Sequence, residues 1–221
     1  AGTDKYLPTP YSSLNDWLGG GFELGDYVLL LAYTNKGKSW ISADCANAVW
    51  EAGYGVLDYR PEISLESFYT RFDTVNGQFN NMAIKNGNLV ETEEDRYFSH
   101  LNKFNETQEV PYILKTMEHM PKGLSVNAIE ADLKQHPEIS FVVIDGFLLM
   151  DHGGNNREAL ATTSRKLRQL FARMKVTGLV VHQTPTNAEK EAKVAEDSRI
   201  PATPELTDSC SSTGCANCTN F

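Results

Sequence analysis

YVLLLAYTNKGKSWISADCANAVWEA, residues 27–52, decides how the rest of the chain is read. It opens on a continuous apolar run, Tyr27–Ala32, of the length of a buried strand. It closes on Lys38–Ala52, which reads as a helix ended by Gly53. Between the two lies AYTNKGKS, Ala32–Ser39. A turn that joins a strand to a helix start aims successive backbone N–H groups and the positive end of the helix dipole at one spot, which suits a polyphosphate. In such a loop Thr34, Asn35, Lys36, Gly37 and Trp40 wrap the phosphates. Lys38 then reaches the β- and γ-phosphates, and the Ser39 hydroxyl ligates Mg²⁺. The usual pattern starts with Gly, and Ala32 stands in that place. The competing reading is a helix that merely happens to start Gly-Lys-Ser.

Outward from this stretch, apolar strands alternate with helical segments. Gly55–Tyr59, Tyr112–Thr116, Phe141–Asp145 and Thr177–Gln183 read as further strands. Ser64–Val75, Glu91–Phe104, Ser125–His136 and Asn156–Lys175 read as helices, with Ser64 as an N-cap and the acids of 91–94 in a first turn. The alternation predicts an α/β fold: a mostly parallel twisted sheet with helices on both faces. No period of 20–50 residues recurs, so a solenoid or propeller is excluded. The organisation expected is one core over residues 1–184, with a short N-terminal arm over 1–13. Residues 185–221, polar and Pro-bearing, read as loop or tail, or as the truncated end of the same domain.

Composition narrows the class. The 221 residues suffice for a sizeable core without staples. With 41% apolar and 22% charged residues, disorder throughout is excluded. No apolar run reaches the roughly 18 residues that a membrane span needs, and no secretory signal is visible. The formal charge of −9 argues against a surface that is basic all over. Charge is uneven, however. Arg157, Arg165, Lys166, Arg168, Arg173 and Lys175 crowd one helix, so a local cationic face stays open beside a solvated or subunit-contacting one. Of the four cysteines, Cys45 stands alone in a helix. Cys210, Cys215 and Cys218 offer three soft ligands, one short of what a zinc or iron–sulfur site needs, so a tail without metal is preferred. The sparse cysteines point to a reducing, cytoplasmic setting.

Three further residues are candidates for chemistry. Asp145 ends a buried strand, where a carboxylate can hold Mg²⁺ directly or through water. It is expected beside the loop of the first strand. Glu62 follows the second strand and could polarise an attacking water, or be a solvated loop residue. Gln183 ends the fifth strand and could hydrogen-bond a γ-phosphate, or simply face water. His182 reads as a strand-end polar residue rather than a ligand or base.

Taken together, these stretches resemble the ATPase domain of DnaB-type replicative helicases, superfamily four with a RecA-like P-loop NTPase core. TPYSSLNDWLGGGFELGDYVLLLA is similar to the phrase that enters that family's first strand, and its phosphate loop often carries Ala at the place of Ala32. GVLDYRPEIS resembles "vlffSLEMS", which puts Glu62 on the family's catalytic base and Arg71 on an arginine near the nucleotide. FVVIDGFLLM resembles "lividyLqLm", which puts Asp145 on the Walker-B aspartate. NREALATTSRKLRQLFARMKVTGLVVHQT resembles the stretch that ends in the sensor glutamine, here Gln183. The likeness runs from residue 8 to about 184. YRPE stands where the family has FSLE, DGF where it has DYL, and the family's last basic motif is only faintly echoed in SRIPATPELTDSCSS.

The resemblance implies ATP and Mg²⁺ as cofactors, with Glu62, Lys38 and Gln183 as the catalytic set. It implies a homo-oligomer, a ring of six around single-stranded DNA, with a primase or a loader protein as further partners and no membrane. The setting implied is the cytoplasm of a bacterial cell or of a phage-infected host. An arginine finger from a neighbour, worth about 10³–10⁵ in rate, implies slow hydrolysis in a monomer. The Gly-rich loop Asp151–Glu158, with Gly153, Gly154, Asn155 and Arg157, is one candidate DNA contact, beside the segment after Gln183. It lacks aromatics, so binding there is expected to be salt-sensitive and sequence-independent. Two other functions fit the same residues. One is a RecA-like DNA-dependent ATPase that does not unwind, such as a recombination mediator or loader. The other is a nucleotide-binding assembly module with weak hydrolysis.

Overall fold

The computed structural model describes residues 5–107, 109–154 and 156–183. Five strands form one sheet: β3 (Tyr27–Ala32), β4 (Gly55–Arg60), β5 (Tyr112–Thr116), β6 (Ile139–Asp145) and β7 (Thr177–Gln183). Their order is β3-β7-β6-β4-β5, and every neighbouring pair is parallel. β7 therefore lies between β3 and β6, and Asp145 is one strand further from the first strand than expected. The tip of β7 reaches far enough to join the same row. The apolar run of β3 is half-buried throughout, because β3 is at an edge of the sheet formed by the described residues.

Both faces are covered, and the period-two alternation of strands explains how. Along β6, Phe141 and Val143 turn to one side, against Cys45, Val49 and Trp50 of α2 (Lys38–Glu51) and Phe68 and Phe72 of α3 (Leu65–Gly77). Val142 and Ile144 turn to the other. They meet Ile129 and Leu133 of α6 (Val126–Gln135) and Leu167, Leu170 and Phe171 of α7 (Arg157–Met174). The Ser64 hydroxyl caps α3 by accepting from the Ser67 N–H at 3.3 Å. Glu91, Glu93 and Glu94 occupy the first turn of α5 (Glu91–Thr107). Arg165, Lys166, Arg168 and Arg173 of α7 are exposed, opposite its buried stripe. Burial pushes the Cys45 thiol up to about 12, so it packs as an apolar group.

Four elements have no sequence signal strong enough to announce them. A short antiparallel pair, β1 (Tyr6–Leu7) with β2 (Phe22–Glu23), brackets α1 (Ser12–Leu18). The stretch read as an arm is thus tied in: Leu7 is fully buried in the cluster with Phe22. α4 (Asn81–Asn86) follows an Asn80 cap whose side chain accepts from Met82 and Ala83 N–H.

Gly178 of β7 is a packing test. A Cβ there would come within 1.9 Å of the Phe171 ring. Gly178→Ala is expected to lower stability by about 1–3 kcal/mol through overpacking, read as a lower urea midpoint with an unchanged m-value. An unchanged midpoint would mean that α7 does not seat on β7 this closely.

Candidate nucleotide site

The parallel register lines up four strand ends. Ala32 pairs with Gln183, Val181 with Asp145, and Ile144 with Tyr59, so the tips of β3, β7, β6 and β4 form one row. In an open parallel sheet, ligands bind in the crevice outside such carboxyl ends. A cavity of about 390 Å³ opens there. Thr34, Asn35, Lys36, Gly37, Lys38, Ser39, Trp40, Glu62, Arg71, Asp145 and Gln183 all line it, so every residue read as catalytic, nucleotide-binding or metal-holding comes to one place. Gly146 and Val181 complete the wall.

The wall is built for an anion on one side. α2 starts at Lys38 with no side-chain cap, which leaves backbone N–H groups of its first turn for a ligand. Its N-cap, Gly37, has φ +81°, and Asn35 has φ +58°, both left-handed, so the loop curls tightly before the helix. The Lys38 ammonium donates to the carbonyls of Tyr33 at 2.6 Å and Ala32 at 3.0 Å. Arg71 stacks on Trp40, 5.0 Å from the ring centre. Its Nη1 is buried without a hydrogen-bond partner. A partnerless guanidinium nitrogen beside a cavity is costly unless an anion completes it.

The other side carries carboxylates. Asp145 is buried at the tip of β6, and its Oδ2 accepts from Arg60 Nη1 at 2.8 Å. Ser39 and Asp145 are hard oxygen donors, as Mg²⁺ requires. Among the described residues no group of three or more His, Cys, Asp or Glu could hold a metal alone. The donor set fits Mg²⁺ held jointly by one carboxylate, one hydroxyl and phosphate oxygens. Glu62 stands on the rim. Partial burial raises its pKa first, and Asp145 adds to this, while Lys38 opposes it. Gly146, at φ +135°, lets this rim close in: a Cβ there would touch Pro61 at 3.0 Å and Glu62 at 3.7 Å.

Not every candidate gathers here. Gly153 and Gly154, on the segment between β6 and α7, and Arg157, the first residue of α7, are exposed and do not line the cavity. Asn155, Cys210, Cys215 and Cys218 lie outside the described residues. His182 sits at the end of β7, as read, and its side chain is turned into the protein. It is 1% exposed, packs 5.6 Å from the Phe147 ring, and burial lowers its pKa. The residues missed are Asp58 and Arg60, both fully buried. Their signal was present in GVLDYR, where two opposite charges two residues apart interrupt an apolar strand.

A parallel α/β sheet with a lysine-bearing loop at the tip of its first strand and a carboxylate two strands away in the same row of tips is the arrangement of a P-loop nucleotide-binding fold. The family described as DnaB-like helicase C terminal domain matches residues 7–217, and the chain belongs to it. It is an ATP-hydrolysing, DnaB-type helicase motor domain with a RecA-like fold. A solved structure described as an ATPase domain is similar, with 18% identity and a TM-score of 0.77 over 97% of this chain and 74% of that one. A DnaB-like replicative helicase, described with its interactions with primase, is similar at 18% identity and a TM-score of 0.74. There the match covers 91% of this chain and 47% of the other, so the chain spans about half the length of that helicase. No curated protein sequence matches. Among the described residues no helix is long and apolar enough to cross a membrane.

Proposed function

We propose that the cavity holds MgATP and that residues 1–184 form the ATPase core of a replicative helicase, with 185–221 continuing the same domain. The observation that carries this is the convergence on one cavity of an uncapped helix start, Lys38, the partnerless Nη1 of Arg71, and the oxygens of Ser39, Asp145 and Glu62. The amides of Thr34 to Ser39 and the start of α2 bind the phosphates. Lys38 exchanges the Ala32 and Tyr33 carbonyls for phosphate oxygens. Arg71 pairs with a phosphate, and Trp40 supports it from below. Ser39 and Asp145, the latter partly through water, would hold Mg²⁺, which would neutralise phosphate charge. Glu62 orients a water for in-line attack and takes up its proton. Gln183, at the tip of β7, hydrogen-bonds toward the γ-phosphate and reports its loss to loops facing the ring centre.

The wider assembly follows the family. Six copies ring a single DNA strand, each ATP lies between neighbours, and a primase or loader docks on the whole, in the cytoplasm of a bacterial cell or phage-infected host. Gly153, Gly154 and Asn155, with Arg157 at the start of α7, track the DNA backbone. Its lack of aromatics predicts affinity that falls steeply with salt and ignores sequence.

Turnover of ATP measured with and without single-stranded DNA tests the motor reading, alongside oligomeric mass in MgATP. DNA is expected to raise turnover several-fold, together with a hexameric mass. Turnover indifferent to DNA would refute the motor. Strand displacement on a fork then separates a helicase from an ATPase that does not unwind.

A further inference from the structure

Arg60 is a fully buried cation behind the cavity wall, and neither the phosphate loop nor the family's glutamate motif accounts for it. It ends β4, two residues after Asp58 on the same strand face. Its guanidinium makes four hydrogen bonds. Nε donates to Asp58 Oδ2 at 2.9 Å and Nη1 to Asp145 Oδ2 at 2.8 Å. Nη1 also reaches the Ser39 carbonyl at 3.2 Å, and Nη2 the Ser42 hydroxyl at 3.3 Å. The Phe68 ring lies 5.2 Å beneath it. The Tyr112 hydroxyl donates to the same Asp58 oxygen at 2.7 Å. Burial alone would lower the guanidinium's pKa, but Asp58 and then Asp145 more than offset this, and it remains charged.

Stability is a poor explanation for such a group. Desolvating a cation costs about as much as its ion pairs return, and apolar residues of similar volume often do as well. What the fork does provide is geometry. It joins the strand of Asp145 to the first turn of α2 at Ser39, the two residues read above as the Mg²⁺ donors. It engages Oδ2 of Asp145 and leaves Oδ1 for the metal or its water.

We propose that Arg60 is a positioning residue for the metal site: it clamps the Asp145 carboxylate and the Ser39 backbone into one rigid unit, so that Mg²⁺ meets a preformed pair of donors. The inference rests on the MgATP reading of the cavity. It predicts that Arg60 sets how much Mg²⁺ helps nucleotide binding, without itself touching the nucleotide.

The test compares wild type with Arg60→Lys, Arg60→Met, and the double variant Asp58→Asn with Arg60→Met. The double variant removes one charge of each sign, so it leaves no extra uncompensated carboxylate. Affinity for a fluorescent ADP analogue is titrated with Mg²⁺ present and in chelator, and the Mg²⁺ concentration for half-maximal turnover is measured. In chelator, the folded variants are expected to bind within about twofold of wild type. The gain in affinity with Mg²⁺ should largely vanish, and half-maximal turnover should need about tenfold more Mg²⁺. Arg60→Lys should be intermediate, because an ammonium reaches one or two of the four acceptors but lacks the planar fork. A folded double variant with wild-type Mg²⁺ dependence would overturn the proposal and leave Arg60 as core packing. Equal losses with Mg²⁺ and in chelator would overturn it as well, by placing Arg60 in nucleotide binding. Wild-type protein that bound no nucleotide would refute the cavity reading, and this inference with it.

Discussion

Glu62→Gln is expected to lower ATP turnover by about 10²–10⁴-fold while leaving nucleotide affinity near wild type. The amide keeps the shape of the side chain but cannot take a proton from water. Its neighbours also predict a pH signature. Partial burial, then Asp145, raises the Glu62 pKa above the ordinary carboxylate value of about 4.3. A base acts only when ionised, so kcat/KM should be full at neutral pH and fall as pH drops through that raised value. The acid limb should be absent from the residual activity of Glu62→Gln. Full turnover in this variant, or an identical acid limb, would remove Glu62 from the reaction.

Lys38→Ala is expected to abolish most turnover, by about 10²–10³-fold, and to weaken nucleotide binding by about tenfold or more. The ammonium is the principal cation of the loop, and two carbonyls hold it close to the cavity floor. The fold should survive, because the apolar faces of α2 and β3 carry the packing. A melting curve within a few degrees of wild type would confirm that. Lys38 also opposes the rise in the Glu62 pKa, so any remaining activity should show its acid limb shifted upward. Nucleotide affinity unchanged in Lys38→Ala would overturn the nucleotide reading of the cavity.

How far the site was legible depended on how local each signal was. The strand, loop and helix of residues 27–52 are contiguous, and GKS before a helix has few other uses. Glu62 and Gln183 are single polar residues at strand ends, and solvated residues look the same. Resemblance, not spacing, selected them, and the cavity then brought both to the row of tips. His182, one residue from Gln183, faces the opposite side of the sheet and is buried against Phe147. A sequence cannot tell which of two adjacent polar residues turns inward. The pair β1 and β2 left no trace in the pattern because two-residue strands have no period, and their pairing joins positions far apart in the chain.

The sequence by itself determined the alternation of strands and helices, the parallel sheet and the phosphate loop, because periodicity and turn chemistry are written in neighbouring residues. It did not determine the order of the strands. β7 sits between β3 and β6 because the chain crosses over the sheet before the last strand pairs, and pairing partners are chosen by contact rather than by proximity in sequence. The role of Arg60 is a product of the same long-range choice. A charge in a strand normally signals a wet surface. Here β6 brings Asp145, and α2 brings Ser39 and Ser42, to the buried tip of β4, so only the assembled sheet makes a buried cation tolerable.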